Sequence, residues 1–363
     1  MTSSAILATS YYVPENRLTH GQLVERFGAE AMQKVAESSG IFERRVAGPE
    51  TCASDLAFRA AQDLLSAHAI DPASIELLLM ATQTPDYLLP TTACILQQRL
   101  GLPTSCAAFD INLGCSQYVY SLATAHSMLM AGLAKRALVL TGETPTRLLH
   151  PQDRAVVPLF GDAGTATLLE RAPQGQGFVQ FELGTDGSGH EHLIWPTSGL
   201  RHPRTPESAQ ETTDKNGCVR RGDDMYMDGA AIFMFTLKMV PKAVGNLLTK
   251  AGLTVDDVDL FIFHQASEMI IESSAKKLKI PREKLHYKLH DVGNSGGSTV
   301  AVALTDAWLA GRLRPGMRVV LSAFGVGLSW ASALVVWPEH TLGPVCRVDF
   351  TGSPPRPANQ QIA

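Results

Sequence analysis

Cys115 is the residue in this chain with the most nucleophilic chemistry available to it. The stretch around it, Phe109-Asp110-Ile111-Asn112-Leu113-Gly114-Cys115-Ser116-Gln117, reads as a short apolar strand, a tight turn at Gly114 and the start of a helix. A thiol at the first turn of a helix sees the positive end of the dipole and unpaired backbone N–H groups, both of which favour thiolate. The other reading of a lone cysteine is a small buried hydrophobe, since a nucleophile needs a partner base. His264 closes the apolar run Asp259-Leu260-Phe261-Ile262-Phe263. Polar residues at the carboxyl ends of strands are where sites form in α/β sheets, although a core histidine satisfied by a carbonyl fits the same pattern. Asn294 lies in His290-Asp291-Val292-Gly293-Asn294-Ser295-Gly296-Gly297-Ser298, where glycine lets backbone approach a ligand. A simple turn asparagine is the alternative. The turn Phe324-Gly325-Val326-Gly327 either aims N–H groups at an oxyanion or joins a hairpin.

Other polar clusters carry less. His190 and His192 lack a further ligand cluster, so no metal site is expected. Lys276-Lys277 and Arg220-Arg221 read as solvated faces that could dock an acidic carrier. The net charge of −4, from 31 basic and 35 acidic residues, gives no signal for nucleic acid. Six cysteines without a CxxC pair, and a start without a basic n-region, point to a cytoplasmic protein with reduced thiols. Residues 319–337 are uncharged and long enough to cross a bilayer. Gly325, Gly327 and three serines favour two buried strands joined by a turn, so no membrane span is expected.

The elements that must position these residues alternate. Strands are expected at 5–13, 75–82, 107–111, 136–141 and 259–264, with a strand or extended turn at 40–46 and a turn into a strand within 158–169. Helices are expected at 54–68 with Ser54 as N-cap, and at 91–100, 116–133, 229–250, 266–279 and 298–310. The polar stretch 184–225 reads as a surface excursion, and the chain from Pro338 onward as a poorly ordered tail. This is an α/β pattern, with each half carrying a strand that ends in a reactive residue.

In order along the chain, six segments resemble the motifs of thiolase-fold condensing enzymes, most closely the β-ketoacyl-acyl-carrier-protein synthase III family. They are 110–115, Phe160-Gly161-Asp162-Ala163-Gly164, Leu183-Gly184-Thr185-Asp186-Gly187-Ser188, His264-Gln265-Ala266 with Ala275-Lys276-Lys277-Leu278, Gly293-Asn294-Ser295, and 323–330. The likeness covers about residues 5–337. It implies a thiolase-like fold of two duplicated mixed-sheet halves in an α-β-α-β-α arrangement. Residues 1–176 would carry the cysteine, 177–340 the histidine and asparagine, and 341–363 would be a flexible tail. It implies a homodimer and a Cys115–His264–Asn294 triad, with the N–H groups of Cys115 and Val326 as oxyanion hole. Val326 stands where the family usually has glycine. Substrates would be coenzyme A or phosphopantetheine thioesters, with no tightly bound cofactor.

Departures gather at the donor surface. The family's adenine-stacking tryptophan has no counterpart within 25–39. Met269 stands for a carrier-docking arginine, Ser267 for an asparagine and Ala230 for another. Arg44 and Arg154 match basic residues near coenzyme A, with Lys276 and Lys277 as further carrier contacts. Leu89 replaces a bulky phenylalanine bordering the acyl pocket, close to the partner subunit, and Phe160 also belongs to the pocket. The expected reaction is acylation of Cys115 and decarboxylative Claisen condensation with a malonyl-type thioester, in a specialised fatty-acid or polyketide pathway. An acyltransferase or non-decarboxylative condensing enzyme is the alternative, and a catalytically silent partner subunit the third reading.

Overall fold

The computed structural model describes residues 3–346. The chain opens with β1 (Ser3–Tyr12). A ribbon of β2 (Arg17–Thr19) and β3 (Glu43–Arg45) then brackets α1 (His20–Phe27) and α2 (Ala29–Ser39). Next come α3 (Ala53–Ala67), β4 (Leu77–Ala81), α4 (Thr92–Arg99), β5 (Ala107–Ile111), α5 (Gln117–Met130) and β6 (Arg136–Glu143). Strands β7 (Ala163–Ala172) and β8 (Gly177–Thr185) lead into the surface excursion. That segment holds only two-residue strands, β9 (Leu193–Ile194), β10 (Thr212–Thr213), β11 (Val219–Arg220) and β12 (Tyr226–Met227). The remainder is α6 (Gly229–Ala251), β13 (Leu260–Phe263), α7 (Glu268–Leu278), α8 (Thr299–Leu309), β14 (Arg318–Gly325), β15 (Ser329–Val336) and β16 (Gly343–Cys346).

Two sheets carry the molecule, one ordered β16-β1-β7-β6-β4-β5 and the other β13-β14-β15-β8. Their strands read as continuous apolar runs because both faces are covered. In β4, Leu77 and Leu79 face inward, while Leu78 and Met80 face outward onto α3 and α4. In β14, Val319 and Leu321 face inward and Val320 and Phe324 face outward onto α6 and α7. Between the sheets lie α5 and α8, with Tyr118, Leu122 and Leu129 of one and Val300, Leu304 and Ala307 of the other in a single core. Five layers result, α-β-α-β-α, and the middle helices run from the two loops that carry Cys115 and Asn294.

Three expectations are corrected. The N-cap of α3 is Cys52, whose N–H donates to Asp55 Oδ2 at 2.9 Å, one turn-start earlier than Ser54. Residues 177–185 form a full strand, which the sequence reading passed over. The start of the expected tail, residues 343–346, pairs in parallel with β1 from Ala8↔Gly343 to Tyr11↔Cys346, so the chain returns to the first sheet. The rest of that tail lies outside the described residues. The uncharged run 319–337 forms the hairpin β14–β15, in line with the expectation of two buried strands joined by a turn. The helix long and apolar enough to cross a membrane is α6, and it lies on the second sheet with Val240, Val244, Leu247 and Leu248 buried.

Candidate active site

Each reactive residue sits where an element ends. Strand β5 stops at Ile111, Asp110 turns its carboxylate onto the first N–H groups of α4 (Thr92 at 2.8 Å, Ala93 at 2.7 Å), and the chain turns at Gly114. Gln117 N–H donates to Gly114 O at 2.8 Å, so Cys115 lies in the turn just before α5 and its N-cap Ser116. Ser116 Oγ meets Ser329 Oγ at 2.7 Å, which ties this turn to β15. Strand β13 delivers His264. Residue Asn294 is strapped on both sides to the loop before β7: its N–H donates to Leu159 O at 2.9 Å and its carbonyl accepts from Gly161 N–H at 3.0 Å.

The three side chains converge on one cavity of about 180 Å³. Phe160, Ser267 and Met269 line it, together with Leu159, Ile232, Phe233 and Phe324, and none of its lining side chains carries a charge. Ser267 also caps α7, accepting from Ile270 N–H at 3.2 Å. Asn294 Oδ1 is taken by Gly296 N–H at 3.0 Å, which leaves Nδ2 as a donor for the cavity. His264 is buried edge-on against Phe324, with ring centroids 5.3 Å apart, and its Nδ1 lies 2.5 Å from Thr299 Oγ1 at the start of α8.

Burial governs the ionisation of the pair. It pushes the Cys115 thiol up to about 12, with the Glu143 carboxyl adding to the rise, while the N–H groups of Val326 and Cys115 itself pull partly back. The expected thiolate bias of the helix start is therefore overridden: the free thiol is neutral, because desolvation outweighs two N–H donors. Burial likewise lowers His264 to about 3, so the imidazole is neutral. The sulfur lies against the two N–H groups that the sequence reading named as an oxyanion hole, and Val326 supplies its amide despite replacing a glycine.

The donor-side residues fall elsewhere. Arg44 is in the core, its Nη2 donating to Ile41 O at 3.3 Å and burial lowering it to about 10. It cannot reach a phosphate outside. Its place follows from β3 pairing with β2 (Leu18↔Arg44), which turns the side chain inward. Arg154 lies against the turn at Gly217 rather than the cavity. Lys276 and Lys277 are on the outer side of α7, with Lys277 Nζ donating to Leu237 O at 3.0 Å. Leu89 is exposed and does not line the cavity of its own chain. Among the described residues no cluster of three His, Cys, Asp or Glu side chains gathers as a metal site. Two residues that the sequence reading missed stand behind the triad, Thr299 and the fully buried Glu143. The signal for Thr299 is a hydroxyl at the first turn after the Asn294 loop; for Glu143 it is an acid at the end of an apolar strand.

A five-layered α/β fold with cysteine, histidine and asparagine meeting at strand and helix ends is that of the thiolase-fold condensing enzymes. Residues 109–187 match the family model for 3-oxoacyl-[acyl-carrier-protein] synthase III, and residues 248–337 match the model for its C-terminal part. The β-ketoacyl-[acyl-carrier-protein] synthase III of Caldanaerobacter subterraneus is 36% identical over 337 residues, 93% of this chain and 98% of that one. A crystal structure of a 3-oxoacyl-(acyl-carrier-protein) synthase III superposes with a TM-score of 0.90 at 39% identity, covering 92% of this chain and all of the other. The priming β-ketosynthase of the R1128 polyketide pathway aligns with a TM-score of 0.82 at 25% identity, over 93% of this chain and 97% of its own. The chain belongs to the β-ketoacyl-acyl-carrier-protein synthase III family, and it is an acyl-transferring condensing enzyme.

Proposed function

We propose that Cys115 accepts an acyl group from a coenzyme A or carrier-protein thioester and passes it to the carbanion formed when a malonyl-type thioester loses carbon dioxide. The observation that carries this is the sulfur of Cys115 lying against the N–H groups of Cys115 and Val326, in the cavity shared with His264 and Asn294. Those N–H groups stabilise the oxyanion as the thiol adds to the acyl carbonyl. The thiol proton leaves through neutral His264 to the departing thiolate, which regenerates the imidazole. In the second half-reaction, His264 and Asn294 Nδ2 donate to the thioester carbonyl of the malonyl unit. They hold its enolate charge as carbon dioxide departs; the carbanion then attacks the acyl carbon and expels Cys115 as thiolate, which a proton from solvent returns to the thiol.

Thr299 suits both steps. Its hydroxyl accepts from Nδ1–H, leaving Nε2 basic for acylation, or donates to Nδ1, leaving Nε2–H for the carbonyl. The uncharged cavity, with Met269 at its mouth, favours contact with a pantetheine arm and an apolar rim over capture of a nucleotide phosphate. The enzyme works as a cytoplasmic homodimer, with β5 at the free edge of the first sheet as the pairing strand.

Intact-protein mass spectrometry with a panel of acyl thioesters tests the reading. A thioester-linked acyl mass on Cys115, followed by release of labelled carbon dioxide from malonyl thioester, is the expected result. Absence of the adduct with every chain and carrier overturns it. An adduct that yields product without carbon dioxide makes the protein an acyltransferase to another acceptor.

A further inference from the structure

The mechanism leaves several buried acids unused, and one of them, Glu143, stands against the cysteine turn. Glu143 ends β6 directly behind the Cys115 turn. Its Oε1 accepts from Gln117 Nε2 at 2.6 Å and from Gln83 N–H at 3.1 Å, and its Oε2 lies 3.3 Å from Thr84 Oγ1. Gln117 is two residues after the nucleophile and also donates to Ala81 O at 3.2 Å. The Asn294 loop rests on the same pair. A Cβ on Gly297 would fall 2.1 Å from Gln117 Nε2, and one on Gly296 would lie 3.5 Å from Glu143 Cγ. The acid and its amide thus form the floor on which the cysteine turn and the asparagine loop both stand.

We propose that Glu143 is a positioning residue that sets the separation of Cys115 and Asn294 through Gln117, and that it carries a proton while Cys115 is loaded. This rests on the reading of Cys115 as the nucleophile. The titratable groups facing the carboxyl are Asp162, across the site, which opposes its charge, and Cys115, in the turn it supports, whose thiol its charge pushes up. Burial raises it to about 8 against the pull of Gln83, Gln117 and Thr84. When neutral, Oε1 keeps both acceptor bonds, and Oε2 donates to Thr84 instead of accepting. When ionised, it places a negative charge behind the thiol and opposes thiolate formation.

The sign of the test follows. Alkylation of Cys115 by iodoacetamide from pH 6 to 10, read on its own peptide by mass mapping because the exposed Cys94 also reacts, needs no acyl substrate. Glu143→Gln keeps the shape and the acceptor oxygen but cannot ionise. The expected rate matches wild type within about twofold at pH 6.5 and is about tenfold faster at pH 9, because the opposing charge is gone. Superimposable profiles overturn the proton-carrying role. Gln117→Met keeps Glu143 but cuts its link to the turn. Its expected effect is an acylation rate lowered about tenfold at unchanged KM, a loss typical of one buried hydrogen bond; an unchanged rate overturns the positioning role, and this arm stands even if Glu143→Gln does not fold. Wild-type thiol that alkylates in this manner yet never takes an acyl group would instead sink the condensing-enzyme reading and leave this one in place.

Discussion

The one side-chain hydrogen bond to the imidazole of His264 among the described residues comes from Thr299. With burial holding that ring neutral and Phe324 edge-on against it, the hydroxyl 2.5 Å from Nδ1 sets which nitrogen carries the proton. Thr299→Val keeps the volume and removes the hydrogen bond. The expected outcome is a condensation rate lowered ten- to a hundredfold, about 1.4–2.7 kcal/mol in the barrier. Thr299→Ser should restore most of it. Quenched-flow measurement of both half-reactions checks this, and a Val variant with full activity would remove Thr299 from the mechanism. The three side chains that meet in the cavity were legible because Cys115, His264 and Asn294 each follow an apolar run or sit in a glycine cluster. Thr299 was not, since a threonine at a helix start reads as a cap. Arg44 was placed near coenzyme A from the resemblance alone; β3 is held between β2 and the 290–292 loop, with Arg45 N–H on Val292 O at 3.1 Å, and both successive arginines are buried although they point to opposite faces.

The glycines beside Cys115 belong to the scale of elements, because they let a hairpin lie on a helix start. A Cβ on Gly325 would sit 2.8 Å from Cys115 Cβ and 2.9 Å from its sulfur, and one on Gly114 would sit 2.4 Å from Val326 O. The end of β14 therefore reaches the nucleophile only as glycine. Gly325→Ala must push the hairpin off the cysteine turn. We expect a stability loss of about 1–3 kcal/mol and an acylation rate at least tenfold lower, as the Val326 N–H leaves the sulfur. Denaturant midpoints and acyl-adduct formation measure the two parts separately, and an alanine variant that acylates at the wild-type rate would detach the hairpin from the chemistry. Period and length exposed most elements, including the β14–β15 hairpin. Strand β8 escaped because a register shift opposite Leu334 and Val335 breaks its alternation and leaves Val179 outside. It also buries Glu182, whose carboxylate takes Lys250 at 2.6 Å and Asn246 at 3.0 Å, contacts no local pattern announces. Strand β16 escaped because parallel pairing with β1 joins residues at opposite ends of the chain.

At the scale of the whole molecule, the first sheet ends in an unpaired edge. Among the described residues strand β5 pairs only with β4, so its outer edge has no ladder partner there. Between β4 and α4 the chain also exposes three consecutive apolar side chains, Tyr87 at 62%, Leu88 at 69% and Leu89 at 82%. An edge strand beside exposed apolar residues is an association surface unless something covers it. A second copy related by a two-fold axis would pair β5 with β5 and cover the apolar loop in one step. Leu89 then lies where a pocket of the partner can receive it, which reconciles its role with its absence from its own cavity. Replacing Leu88 and Leu89 together by Asp puts two charges into that contact and leaves the core untouched. Sedimentation at micromolar concentration should show wild type at twice the 39.1 kDa chain mass and the double variant at the chain mass. If Leu89 completes a partner's pocket, acyl loading of Cys115 falls in proportion to dissociation. Wild type sedimenting as a single chain, or a dissociated variant that still loads at the full rate, would show that each active site is complete within one chain.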